Sequence, residues 1–241
     1  MDLNFLRVLK NSQQGKRVLI LGNAKSLLDI PLEKVSIDTF AMNRIAPIFK
    51  STSWRPTWYI CGTLRIGWNK SYKSDFYTAV NQSIFSFLGT RIQHLVEKEL
   101  IYSNFSWVKF LDVADKKIEP PKTEYWNRDT SQGEVSIYGH TGFGAIQLAR
   151  YLGYEEIILG GMDIPYAVPE SRLIDTNHFY PEYETKNLMP EDEQYEIYNT
   201  NLIMSHSFTS DMADIEGIKI SSLETNKGLT KYRRMKINEL I

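Results

Sequence analysis

The short apolar run RVLILG (17–22) does most to limit the folds open to this chain. It halts at Gly22-Asn23, and an amphipathic run, AKSLLDI, resumes at once. A continuous aliphatic run of that length, closed by turn residues, suits a strand buried on both faces, as in a parallel sheet. The corner itself has two readings. Gly and Asn both tolerate positive φ, so it can be a plain strand-to-helix turn. Backbone N–H groups where a strand ends and a helix begins also attract phosphate. The corner matches neither the G-x-G-x-x-G fingerprint nor a P-loop, and Lys25-Ser26 resembles the P-loop ending only superficially.

The pattern recurs along the chain. Residues 3–10 are expected to form a short amphipathic helix, and 38–43, 56–62, 82–89 and 106–113 to form strands. A helix is expected around SDFYTAV (74–80), and a second over 141–154, with Thr141 as N-cap and Gly153 beyond its end. EEIILGGMD (155–163) is the clearest strand after the first, 191–217 is mostly helical, and 217–223 is a last short strand. Pro165, Pro169, Pro181 and Pro190 make 164–190 a long loop, and a loop of that length is commonly a lid or acceptor-binding segment. No internal repeat or low-complexity linker interrupts the chain. Strands alternating with helices predict one α/β domain over 1–241, a Rossmann-like, doubly wound, mostly parallel sheet.

In such a sheet ligands bind outside the carboxyl ends of the strands. That rule collects Gly22, Asn23 and Ser26 after the first strand, Asn43 after the second, and Gly62 and Thr63 after the third. It adds His140 and Thr141 at the start of the central helix, and Gly161 with Asp163 after the late strand. Their amides and hydroxyls can bond a ribose or base without bringing charge. Each has a plainer reading: Asn43 as a turn former, Thr141 as a cap, Asp163 as a structural carboxylate. Of the four histidines, His94 falls on a solvated helical face and His206 within a helix. His178 lies on the long loop, where a neutral imidazole can take a proton from an attacking hydroxyl or simply bond its neighbours.

Composition removes several classes. Lys plus Arg (28) nearly balances Asp plus Glu (29), so the overall charge gives no footprint for nucleic acid. The single cysteine, Cys61, excludes an internal disulfide and fits a reducing compartment. MDLNFLRVLKNSQQGK lacks a signal-peptide core, and no run reaches membrane-spanning length, so a cytoplasmic location is expected. No Cys/His cluster, H-E-x-x-H or D-x-D marks a metal site, and Asp211 with Asp214 reads as a solvated face. KYRRMK (231–236) is a candidate patch for an anionic acceptor or for peripheral membrane contact. The sequence leaves the oligomeric state open.

Four blocks in order, covering about half the chain, carry a resemblance. ILGNAKSLLDI resembles the opening G-x-x-x-S-L signature of the bacterial sialyltransferases of glycosyltransferase family 42. FAMN, ending at Asn43, is similar to their second-strand end, and HTGFGAIQLARYLGYEEIILGGMDIPY to their later helix–strand block. DTNHFYPEY is similar to their downstream histidine loop. The resemblance implies a glycosyltransferase type A fold with a lid loop and metal-independent transfer from a CMP-activated sugar, with no cofactor. The acceptor would be a glycan or lipooligosaccharide in bacterial surface polysaccharide synthesis. It implies that Gly22, Asn23 and Ser26 approach phosphate and ribose, and that Asn43 and Thr141-Gly142 bind ribose or base. Tyr166 would stabilise the departing phosphate and His178 would be the base.

This chain departs from the family pattern in places. Ala24-Lys25 replaces Gly-Pro, Tyr138 replaces an arginine, and the second phosphate-binding tyrosine falls at about Ser171. The family's base histidine falls at Glu182, and His178 matches an earlier one. The opening signature also resembles 6-hydroxymethylpterin diphosphokinase-like proteins and flagellin-glycosylation accessory factors. Two further functions are therefore expected as alternatives: an ATP- and Mg²⁺-dependent diphosphokinase with Asp163 near the metal, and a non-catalytic nucleotide-sugar-binding protein.

Overall fold

A computed structural model describes residues 3–67, 70–96, 104–112, 117–126, 129–170, 174–183 and 191–241. Its centre is a nine-stranded sheet. The strands are β1 (Arg17–Leu21), β2 (Asp38–Met42), β3 (Trp58–Cys61), β4 (Phe85–Gly89) and β5 (Phe105–Asp112). They are followed by β6 (Glu134–Ile137), β7 (Glu156–Gly160), β8 (Lys219–Leu223) and β9 (Arg233–Met235). The spatial order is β6-β5-β4-β3-β2-β1-β7-β8-β9, and every ladder is parallel. From β1 the chain adds strands outward to β6, then crosses back and adds β7 on the other side of β1. The winding therefore reverses between β1 and β7, the position at which open α/β sheets commonly bind ligands.

The helices are α1 (Leu3–Leu9), α2 (Lys70–Gln82), α3 (Thr123–Trp126), α4 (Thr141–Leu152) and α5 (Asp192–Glu216). Side chains alternate across each strand. Val18, Ile20, Phe40, Met42, Trp58 and Ile60 share one core with Phe143 and Ile146 of α4. Leu19, Leu21, Ala41, Tyr59 and Cys61 share the other with Tyr72, Phe76 and Val80 of α2. Burial on both faces explains why β1 reads as an unbroken apolar run. The buried indole of Trp58 donates from Nε1 to the Tyr154 hydroxyl (2.7 Å), which donates in turn to Asp38 Oδ2 (2.7 Å).

The α/β class and doubly wound parallel sheet agree with the sequence, and several boundaries move. β2 stops at Met42 because Asn43 takes a positive φ of 50°, and β7 stops at Gly160 because Gly161 does likewise at 63°. β3 begins only at Trp58, after Pro56. β6, β9 and α3 were not anticipated. The connections after β1, β2 and β4 contain 3-10 turns (25–29 and 32–34, 46–50, 90–95) where a doubly wound sheet ordinarily carries α-helices. Pro31 and Pro47 interrupt the first two of these connections. Among the described residues no helix is long and apolar enough to cross a membrane.

Candidate functional site

Gly22 follows β1 and is nearly in contact with the neighbouring strand's end. A Cβ there would lie 2.4 Å from the Gly161 carbonyl oxygen. Its N–H donates to the Gly160 carbonyl (2.9 Å), and that of Ala24 to the Gly161 carbonyl (2.9 Å). The glycine is thus required by strand packing, and these two N–H groups continue the β1–β7 ladder instead of facing outward as a phosphate cradle. Asn23 is buried. Its Nδ2 donates to the Met42 carbonyl (2.9 Å) and the Tyr183 hydroxyl (3.0 Å), while its Oδ1 lies buried without a partner.

Asp163 accepts N–H groups on both oxygens, from Ser26 to Oδ2 (3.1 Å) and from Lys227 to Oδ1 (2.9 Å). It therefore fills the anion-attracting start of the 25–29 turn with the chain's own charge. Ser26 is buried, with Oγ against Asn226 (3.4 Å). These bonds give Ser26 and Asp163 a joint structural task in holding three loops together.

Asn43 and Thr141 meet directly, Asn43 Nδ2 donating to Thr141 Oγ1 (3.2 Å), and Asn43 Oδ1 is buried without a partner. The N-cap of α4 is His140, in extended conformation, so Thr141 is the first helical residue and not the cap expected from the sequence. A Cβ on Gly142 would lie 2.6 Å from His140 Nδ1, so glycine here makes room for that ring. His140 stacks on His206 with centroids 4.5 Å apart, and its Nε2 is buried without a partner. Burial pushes His140 down to about 4 and, aided by the charge of His140, holds His206 well below the ordinary histidine value. Thr63 accepts the Arg65 N–H (3.3 Å), and no described hydrogen bond joins it to the other candidates.

The described parts of the 164–190 segment are docked over the strand ends. Asn199 of α5 clamps Tyr166 through both backbone groups, at 2.7 and 2.8 Å, and Asn177 does the same for Ala167 at 2.8 Å each. The Phe179 N–H donates to the Asn23 carbonyl (2.9 Å), and Ala24 and His178 form an isolated antiparallel bridge. Buried Arg44, a residue the sequence did not single out, fastens the far end. Its Nε donates to Asp75 Oδ2 (2.6 Å), its Nη1 to the Glu182 and Tyr183 carbonyls (2.5 and 2.8 Å), and its Nη2 to Ser71 Oγ. Ser171 lies outside the described residues.

His178 sits inside this loop. Its ring lies flat on Tyr183, with centroids 3.9 Å apart and planes 8° off parallel, and Tyr166 meets it edge-on at 5.5 Å. His178 Nδ1 is 2.6 Å from Asp175 Oδ2. Burial pushes the Asp175 carboxyl up, but its hydrogen bond to His178 and that residue's charge outweigh burial and leave it below its ordinary value. Burial also holds the Tyr166 phenol protonated far above the ordinary range, with the Arg65 charge pulling slightly the other way. Arg65, Arg44 and Asp175 were not anticipated as site residues. The D-x-x-H spacing of DTNH was the one available signal. Tyr138 lies fully buried against Phe143 and bonds the Glu119 carbonyl (2.5 Å), so it cannot replace an arginine facing a ligand. Among the described residues no group of three or more His, Cys, Asp or Glu side chains is arranged to hold a metal.

The fold defines an α/β protein built on a parallel sheet whose winding reverses between β1 and β7. Among solved structures, this chain is similar to the sialyltransferase CstII from Campylobacter jejuni in complex with cytidine-5′-monophosphate. The TM-score is 0.52 at 16% identity, over 92% of this chain and 85% of that one. The CstII complex with CMP-3FNeuAc gives 0.51 at 14%, over 91% and 86%. A tyrosine-to-phenylalanine variant of the same enzyme with CMP gives 0.52 at 15%, over 90% and 85%. No protein-family model matches the chain, and no curated protein matches its sequence. The likeness is one of fold.

Proposed function

We propose that this protein transfers a sugar from a CMP-activated donor to a hydroxyl of a glycan acceptor, without a metal or cofactor. The observation that supports the reading is that two pairs of site candidates are in contact, Asn43 with Thr141 and Tyr166 with His178, in a fold similar to that of CMP-bound CstII. His178 takes the proton of the acceptor hydroxyl, whose oxygen attacks the anomeric carbon. The bond from that carbon to the phosphate oxygen breaks, and CMP leaves with the electron pair. Tyr166, protonated at neutral pH, donates a hydrogen bond to the leaving phosphate, and Arg65 supplies positive charge on the same side. The unpartnered Oδ1 atoms of Asn23 and Asn43 are free acceptors for base or ribose donors. A cytoplasmic, membrane-peripheral role in surface polysaccharide synthesis follows from the same reading. Against the diphosphokinase alternative, both Asp163 oxygens are engaged by backbone N–H groups. The non-catalytic alternative draws on Tyr138, whose burial removes the expected arginine's role.

Calorimetric titration with CMP, UDP, GDP and ATP, with and without Mg²⁺, tests the reading. Wild type should prefer CMP without metal. Asn43→Gly, which keeps the left-handed backbone and removes the amide, should bind about tenfold more weakly, the worth of one or two hydrogen bonds. Preference for ATP with Mg²⁺ would favour the diphosphokinase, and failure to bind any nucleotide would sink both.

A further inference from the structure

We propose that Asp175 is a positioning residue that holds His178 in a single tautomer, with the proton on Nδ1 and the lone pair of Nε2 as the proton acceptor. The inference rests on the glycosyl-transfer reading for its catalytic consequence, and on geometry alone for the tautomer. An ionised carboxylate only accepts hydrogen bonds, so the 2.6 Å contact between Asp175 Oδ2 and His178 Nδ1 requires the proton to lie on Nδ1. Asp175 cannot turn away. Its Oδ1 accepts the N–H groups of Asn177 (2.8 Å) and His178 (3.1 Å), and its own N–H closes the turn onto the Pro181 carbonyl (2.9 Å). The carboxylate is buried, with its side chain 4% exposed against 12% for His178. A flip of the ring by 180° would keep the stack on Tyr183 but would bring Cδ2 in place of Nδ1 against the carboxylate and lose the 2.6 Å bond.

A base needs both the right atom free and that atom held in place, and a carboxylate behind the imidazole supplies both while stabilising the imidazolium that forms. No member of this arrangement comes from the sheet. Asp175, His178 and Tyr183 lie within nine residues of one loop, so the orienting device is built from a single short segment.

Asp175→Asn reverses the polarity with almost no change of shape. The Oδ1 bonds to the backbone persist, whereas the new Nδ2–H donates to His178 Nδ1 and drives the proton to Nε2. Transfer from a CMP-sugar should then fall about a thousandfold or more, as for an imidazole locked in the wrong tautomer. Donor KM should stay within about threefold, because the substitution removes a transition-state interaction and not uniform binding. Nitrogen-15 NMR of the ring at a pH where it is neutral should show protonated Nδ1 in wild type and protonated Nε2 in the variant. A wild-type ring protonated on Nε2 overturns the proposal with no variant needed. A variant with a reversed tautomer and a transfer rate within tenfold of wild type overturns its catalytic half. Wild type that binds CMP and transfers nothing defeats the glycosyl-transfer reading, and the NMR result still decides the tautomer.

Discussion

Replacing Arg44 with methionine should detach the 174–183 loop from the body of the protein. The Arg44 side chain is 3% exposed and its partner Asp75 21%, so the pair is mostly but not wholly desolvated. Removing one member of a buried pair costs about 3–5 kcal/mol, chiefly through the charge left unpaired. Water still reaches Asp75, which places the loss near the lower end, about 3 kcal/mol. The Glu182 and Tyr183 carbonyls lose a charged donor as well, and both belong to the loop. Spread over a domain of this size, about 3 kcal/mol lowers Tm by about 6–12 °C. Adding Asp75→Asn should restore part of the loss, because no charge is then stranded. Amide hydrogen exchange should accelerate at Asp175 and Phe179, whose N–H groups bond within the docked loop and to Asn23, while β1 to β4 keep their protection. A Tm within about 2 °C of wild type with unchanged exchange in the loop would refute Arg44 as its anchor.

Gly22→Ala should lower the denaturant midpoint by about 1–3 kcal/mol of stability, because the added methyl meets the Gly161 carbonyl and overpacks the β1–β7 junction. Stability should also depend on pH through His140. Its folded value of about 4 lies below the unfolded value of about 6.5, so the unfolded state binds more protons between them. Stability is therefore complete above about pH 6.5 and falls as pH drops toward 4, by about 3 kcal/mol at most from this group. Urea midpoints measured across that window should decline in wild type and decline less in His140→Asn.

The strands that stood out most in the sequence are those buried on both faces, although the alternating β5 was read as well. RVLILG and EEIILGG announce themselves because each carries an unbroken aliphatic run, VLIL and IIL, behind a charged first residue or pair. Edge strands lack that signature: β6 is a short EVSI with intermediate ends, and β9 is an RRM whose two arginines face solvent. Topology also pointed to neighbours in space, since Asn43 and Thr141 bond each other although they lie far apart in the chain. The roles of Gly22, Ser26 and Asp163 were less legible. A carboxylate facing solvent and one capping two loop N–H groups look identical as letters. Arg44 and Tyr183 became visible only once the loop folded back, because their partners are backbone carbonyls and ring faces that no residue pattern encodes, whereas Asp175 left one trace in its spacing from His178.

The reversal of the sheet also sets an order of assembly. β1 pairs with β2 early, but its other edge is completed only by β7, with Leu21 opposite Gly160. Throughout synthesis of the intervening chain, this largely apolar strand keeps one open side, the kind of edge that templates aggregation. Closing so long a connection makes this a junction of high contact order, which slows folding. The junction at which Gly22 and Ala24 meet Gly160 and Gly161 therefore exists only after the chain has passed residue 160. A fragment ending short of β7 would carry most of the named site residues and still lack the strand end that holds them.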